Sequence, residues 1–324
     1  MFTKKKKTHI SIEIKDYVLR VIVAKGPDPS LWKGYELPLA QGIVENMVIT
    51  DEMALYEIIK EHVIKWAGKK QNVRFFVPDT SVLLKNFSHP SDVEPHQLKG
   101  YAEMELGLSI HLPFDEPLLD VYDPIAGDGQ AILFAIPSEE VNKMVGLCLD
   151  ASLKPQVADI RGLCNIRLLE YMQLIDPQKT YFIADWSINE LSICIFSKGN
   201  VEFLRYQSIG TNLADWQAEQ VEENNLSFKY TGEEEVYRML LTDQVLEIDR
   251  IINFFRFSLH KGEKSVDELI VLGDNPNLQT IANLLSNNFD IPLKVLNDEM
   301  IHKQFLAFSE SFATVLGLAL KEVH

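Results

Sequence analysis

The chain has 324 residues, 46% of them hydrophobic and 24% charged, which gives length for two domains and excludes wholesale disorder. The 47 acidic and 31 basic residues leave a net charge of −16. Both halves are acidic, so a phosphate-tracking nucleic-acid surface is excluded. Cys148, Cys164 and Cys194 form no CxxC pair, which suits a reducing compartment and offers no zinc knuckle. No run of 18 apolar residues appears, so no membrane span is expected. The basic run Lys4 to Lys7 reads as a solvated tail, with a weak contact to anionic lipid as the alternative.

Residues 8–14 and 17–24 are rich in β-branched residues and joined by Lys15-Asp16, so they read as a hairpin, with 33–39 as a third strand. Leu55, Ile58, Ile59, His62, Val63 and Trp66 recur at helical spacing, which predicts a helix over 51–68 capped by Asp51. Val73–Val77, stopped by Pro78, is a short buried strand. Residues 79–177 change rhythm. A strand over 82–88 precedes a helix over 94–108, broken by the stretch His111–Phe114. Leu118–Tyr122 and Gln130–Ile136 read as a strand pair. Ser138 caps a helix over 139–151, and another follows over 160–174, before the Asp176-Pro177 break.

The second half repeats the first order. Tyr181–Asp185, Glu190–Ser197 and Val201–Ser208 are three strands, the last two joined by the tight turn Lys198-Gly199-Asn200. A helical segment is expected from about Thr211 and a long helix from Glu233 to His260. Then come a strand at Leu269–Leu272, a helix at Asn277–Asn287, a strand at Leu293–Leu296 and a last helix at Glu310–Glu322. The pattern is a duplicated α/β core of three strands, helix, strand and helix, with an inserted α+β subdomain. The expected limits are 1–78 for the first part, 79–155 for the insertion and 156–178 for a helix returning to the first half. The second half is 179–324, with 212–262 a helical subdomain and 263–324 its C-terminal part.

Familiar catalytic arrangements are missing. Gly68-Lys69-Lys70 lacks the preceding GxxxxGK[ST] frame of a P-loop, and Gly127-Asp128-Gly129 falls in a hairpin loop. There is no HExxH, no GxSxG and no metal-spaced histidine pair. Glu103 and Glu105 lie two apart on a helix and do not face each other. Glu233 to Glu235 suit the start of a helix. No catalytic residue and no metal ligand set is expected.

Three segments carry a resemblance. Leu106–Phe114 (LGLSIHLPF), Ala151–Pro155 followed by Val157-Ala158-Asp159, and Phe312–Leu320 (FATVLGLAL) resemble, in order and spacing, stretches of the PilM family of type IV pilus assembly proteins. The cell-division protein FtsA is a cousin with the same inserted-subdomain plan. The resemblance implies the actin/hexokinase/Hsp70 fold, in which ATP lies between the halves on two hairpin turns and one glycine-rich turn. Such turns need Gly, Ser or Thr so that backbone N–H groups reach phosphate, with a carboxylate near the magnesium.

Each of the three turns departs from that pattern. The family's Asp-x-Gly-Ser is here Glu13-Ile14-Lys15-Asp16. Its Asp-Ile-Gly-Ala-Ser-Thr is Asp185-Trp186-Ser187-Ile188-Asn189-Glu190. Its Ser-Gly-Gly-Gly is Leu272-Gly273-Asp274-Asn275-Pro276, and Gly210 keeps the first of a further glycine pair. The resemblance therefore implies a degenerate pocket at Glu13, Lys15, Asp16, Asp185, Ser187, Gly210, Gly273 and Asp274. An added acid in each turn opposes a triphosphate, so no cofactor is expected. The alternative is a weak ATP-binding or ATPase switch, with Glu13 and Asp185 on Mg²⁺ and Ser187, Gly210 and Gly273 on phosphates.

The family also implies an adaptor. Its partner would be the N-terminal cytoplasmic peptide of a PilN-like inner-membrane protein, held between the first subdomain and the inserted one, with pilus motor ATPases as further partners. The protein would then be cytoplasmic and peripheral at the inner face of the membrane through its partners. Phe75, Val77, Leu106, Pro113 and Phe114 are the expected groove residues, as apolar positions bordering both subdomains.

Overall fold

The second strand of the first hairpin, VLRVIVA, has no alternation, as suits a strand covered on both faces, whereas the first, HISIEIK, alternates and buries polar residues as well. In the computed structural model, which describes residues 8–125, 127–222 and 225–323, β1 (His9–Lys15) and β2 (Val18–Ala24) are buried at every position but Ile14. Lys4 to Lys7 lie outside the described residues. Next come β3 (Lys33–Pro38) and a two-rung hairpin of β4 (Val44–Glu45) and β5 (Val48–Ile49). The helix expected over 51–68 is α1 (Glu52–Ile58) and α2 (Ile64–Ala67), joined by a π turn over Ile59–Val63 and capped by the Asp51 carboxylate. Then β6 (Asn72–Phe76) adds in parallel to β1.

The insertion follows as β7 (Leu83–Ser88), α3 (Leu98–Glu105), β8 (Pro117–Tyr122) and β9 (Gln130–Pro137), its three strands pairing in the order β7-β9-β8. It has its own small core of Phe87, Leu98, Ala102, Ile110, Leu119 and Leu133. The expected limits of 79–155 differ from what is observed. Helix α4 (Ser138–Asp150) buries Val141, Met144, Leu147 and Cys148 among Ile10, Ile12 and Val73 of the first half. A strand not foreseen from the sequence, β10 (Lys154–Asp159), pairs in parallel with β6. Its Pro155 and its alternation of exposed and half-buried residues, usual at a sheet edge, hid it. Helix α5 (Arg161–Tyr171) then leads out of the first half.

The second half is β11 (Thr180–Trp186), β12 (Glu190–Ser197), β13 (Asn200–Ser208), β14 (Trp216–Glu222), β15 (Asn225–Tyr230), α6 (Glu234–Asn253), β16 (Glu268–Gly273), α7 (Leu278–Asn288), β17 (Leu293–Val295), α8 (Asp298–His302) and α9 (Ala313–Ala319). A helix near Thr211, and hence a purely helical piece over 212–262, is not what forms. β14 and β15 make an antiparallel hairpin there. Trp216 pairs across to Tyr230 and Ala218 to Phe228, so large apolar residues two apart line one face, the strand period and not the helix period.

The two large sheets have the same strand order. The first runs β10-β6-β1-β2-β3 and the second β17-β16-β11-β12-β13, each with three antiparallel strands followed by two parallel ones. The duplication is therefore structural even though the two sequences are unlike. Helices α5 and α9 pack against each other between the sheets. A Cβ at Gly317 of α9 would lie 2.0 Å from the Cys164 carbonyl oxygen of α5, so only glycine permits this approach. Every residue of α9 is buried. Among the described residues, no helix is long and apolar enough to cross a membrane.

Candidate functional site

Duplicated sheets bring three turns together at the cleft between the halves: β1–β2, β11–β12 and the loop after β16. Gly273 ends β16 with φ +122, and a Cβ there would lie 2.1 Å from the Trp186 carbonyl oxygen. That closeness delivers Asp274 into the cleft. Lys15 reaches across from the first turn, its Nζ donating to Ser187 Oγ at 2.6 Å and to Asp274 Oδ1 at 2.9 Å. One side chain thus ties all three turns. Asp16 is held as tightly. It accepts the backbone N–H groups of Asn46 and Met47 and the Asn189 amide, each at 2.9 Å. Asn46 and Met47 take left-handed backbone angles, φ 51 and 65, and both N–H groups of that β4–β5 turn go to the Asp16 carboxylate.

Behind Lys15 lies a buried ion group that strand register builds. Glu13 pairs across to Arg20, and Arg20 to Glu36. Arg20 therefore bridges Glu36 at 2.5 Å, Glu13 at 3.4 Å and Asp274 at 2.6 Å. Tyr17 adds an O–H bond to Asp274 at 2.6 Å. Arg161, at the start of α5, reaches Glu190 at 3.2 Å, Asp79 at 3.4 Å and Glu13 at 3.5 Å. Three cations thus face five carboxylates.

Ionisation follows this imbalance. Burial opposes the charge of Asp274, but Arg20 and Lys15 overcome it and hold the carboxyl well below the ordinary carboxylate range. Burial likewise opposes the charge of Lys15, and Asp274 and Glu13 offset it, raising its pKa. Glu190 has the weaker partners, and burial pushes it up to about 7. Burial also raises Asp79.

The remaining expected positions are placed as follows. Asp185 accepts the Asn165 amide at 3.0 Å and the Thr314 hydroxyl at 2.9 Å through one oxygen, so it fastens α5 and the residues of α9 to the second sheet. Ser187 belongs to the ion group. Gly210 is exposed on the turn after β13, outside it. Asn275 accepts from and donates to Tyr237 and donates to the Ser187 carbonyl oxygen. The β14–β15 hairpin crosses to the first half, where Leu226 N–H donates to Glu36 at 2.7 Å and Phe228 packs edge-on against Tyr17.

Arg20, Glu36, Asp79 and Arg161 were missed in the sequence. Arg20 had a signal: a lone charge inside a strand buried at every position needs a buried partner, and the hairpin register names Glu13 as that partner. Arg161 had none, because its partners come from distant segments.

Of the five expected groove residues, Phe75 and Val77 line a shallow cleft of about 30 Å³ with Ile12, Ile14, Met47 and Met144. This cleft runs between the first sheet and α4. Leu106 and Phe114 pack instead into the insertion's own core, and Pro113 is exposed. The LGLSIHLPF stretch closes α3 and folds back on it through the Leu106–Ile110 bridge.

Two like-ordered sheets around a cleft, with connecting helices between them, define an actin-like protein. Solved structures with this architecture include the ethanolamine utilization protein EutJ of Carboxydothermus hydrogenoformans, at TM-score 0.53 and 10% identity over 97% of this chain and 89% of that one. MreB5 of Spiroplasma citri, bound to ADP, matches at TM-score 0.50 and 10% identity over 97% and 95%. The sequence fits the family described as type IV pilus assembly protein PilM over residues 33–323, and the chain belongs to that family. The PilM–PilN type IV pilus biogenesis complex superposes with TM-score 0.75 and 19% identity, covering 96% of this chain and 97% of that one. No curated protein matches the sequence.

Proposed function

We propose that this chain is an actin-like adaptor of type IV pilus assembly that holds a peptide and has given up tight nucleotide binding. The observation that carries the second part is Lys15, whose Nζ occupies the meeting point of the three turns on Ser187 and Asp274. A phosphate entering there must break buried bonds already made. It would also add negative charge where carboxylates outnumber cations, in a setting of low dielectric. The β14–β15 hairpin, pinned to Glu36, narrows the same cleft. Asp185 leaves its other carboxylate oxygen without a partner, and a weak magnesium-dependent switch would use that oxygen. In that case Mg-ATP would raise the melting temperature and Asp185→Ala would abolish the rise.

The partner follows from the likeness to the PilM–PilN complex. On this reading the bound segment is the N-terminal peptide of a PilN-like inner-membrane protein, and the chain works at the cytoplasmic face of that membrane with the pilus motor ATPases as further partners. The cleft lined by Phe75, Val77, Ile14 and Met144, with Glu140 as its one charged side chain, is mostly apolar and lies beside a strand end, which suits alternate anchors of an extended peptide. Its small volume means that an anchor enters by displacing Met144, and an unbranched thioether adapts readily. Titration of that synthetic peptide into the full chain tests the assignment. Val77→Asp and Met144→Glu are each expected to weaken binding about tenfold or more. Wild-type affinity in both variants would overturn it.

A further inference from the structure

A second cavity adjoins the buried ion group through Asp79. It holds about 260 Å³ between the segment after β6, the start of α5 and strands β12 and β13. One wall is apolar, from Ile183, Cys194 and Leu204; the other is polar, from Asp79, Asn165 and Tyr206. The polar wall holds three polar atoms without partners, two of them acceptors only. Asp79 accepts the Ser192 hydroxyl through Oδ2 at 2.5 Å, and its Oδ1 has no partner. Asn165 is 2% exposed and spends its amide on Asp185, leaving Oδ1 unpaired. The Tyr206 hydroxyl is also unpaired.

Buried acceptors without donors are costly. A cavity this large with half its wall apolar gives most of the waters it could hold too few partners. The complement is a molecule with several N–H donors at one end and a compact apolar body at the other. A carboxylate or phosphate head would face two bare acceptors and is disfavoured. Arg205, the cation at the rim, is already paired with Glu247 at 2.9 Å, so it leaves the mouth open to a cation.

We propose that this cavity is a binding site for a small primary amine, taken as the ammonium ion, with its nitrogen on Asp79 and Asn165 and its short alkyl body against Ile183 and Leu204. The site is separate from the peptide groove and shares Asp79 with the buried ion group, where Arg161 lies 3.4 Å from Oδ2 and leaves Oδ1 for the ligand.

Isobutylammonium, isobutanol and isobutyrate, titrated into the full chain by ligand-observed NMR, test it. The ammonium is expected to bind about tenfold or more tightly than isobutyrate, with the alcohol between them. Val82→Trp, which puts an indole at a lining position, should abolish binding, and Asp79→Asn should weaken it about tenfold. Tyr206→Phe, a milder change, should weaken it less, and a thermal melt of each variant reports folding. Absence of ammonium binding to the wild type, equal binding of isobutyrate, or unchanged binding in a folded Val82→Trp variant would each overturn the proposal.

Discussion

Lys15→Met is the sharpest test of the filled cleft. Methionine keeps most of the length of the side chain and removes its charge and its donors. The lost attraction to Asp274, at 2.9 Å, is about 6 kcal/mol at an effective dielectric of 20. Glu13, at 3.9 Å, adds about 4 kcal/mol on the same basis. Against this stand the relief of burying an ammonium, several kcal/mol, and of its repulsion with Arg161. Asp274 also keeps Arg20 and Tyr17, both at 2.6 Å, and so stays ionised. The net falls at the low end of the range for breaking a buried pair, a loss of about 3 kcal/mol. Asp274 has a depressed pKa, so its contribution fades only as pH falls through that low value. Lys15 has a raised pKa, so its contribution fades only as pH rises past 10.5. Between those limits the loss should grow as pH rises through about 7, because Lys15 also favours the ionised form of Glu190. Urea unfolding followed by tryptophan fluorescence measures it, with the exposed pair variant Lys60→Met expected to change stability by less than about 0.5 kcal/mol. A Lys15→Met variant as stable as the wild type would refute the account. So would one that keeps its stability but loses stabilisation by Mg-ATP, since Lys15 would then be a phosphate ligand.

Glu190 has its pKa raised from 4.5 to about 7, so the folded state binds that proton more tightly than the unfolded state. Its penalty is absent below the lower value and grows to about 3 kcal/mol as pH rises past the upper one. Relative to wild type, Glu190→Gln should therefore gain about 2–3 kcal/mol between pH 5 and pH 8, and a constant difference in urea unfolding would contradict the burial argument. Gly317→Ala puts a methyl 2.0 Å from a backbone oxygen and should cost about 3 kcal/mol or more, since neither helix can yield cheaply; a loss under about 1 kcal/mol would show that α5 and α9 are not locked together. Tyr17→Phe removes a donor from buried Asp274 and should cost about 1–3 kcal/mol by the same unfolding assay.

Local pattern decided how much was legible in the sequence. The β-branched runs of β1, β2, β11 and β12, and the helical spacing of 51–68, identify both halves and their duplication. The hairpin at Trp216–Tyr230 was missed because Trp216, Ala218, Phe228 and Tyr230 align as one face only once the register is known. Strand β10 was missed because its pattern is that of a sheet edge. At the cleft, Lys15, Asp16, Ser187 and Asp274 were found as departures from a phosphate-binding pattern. That Lys15 bonds to Ser187 and Asp274 across 172 and 259 residues of sequence is tertiary information that no local window holds. The acidity of the chain, −16 overall, takes on a local meaning there, since five carboxylates converge on three cations at the turns expected from the sequence to form a degenerate pocket.

Thermal unfolding of the full chain with saturating Mg-ATP and, separately, with the N-terminal peptide of a PilN-like protein addresses the central claim most directly. At one hundred times its dissociation constant a ligand stabilises by about 2.7 kcal/mol. The account predicts that millimolar Mg-ATP leaves the melting temperature unmoved while the peptide raises it. A rise with Mg-ATP that Asp185→Ala abolishes, with no response to the peptide, would contradict it.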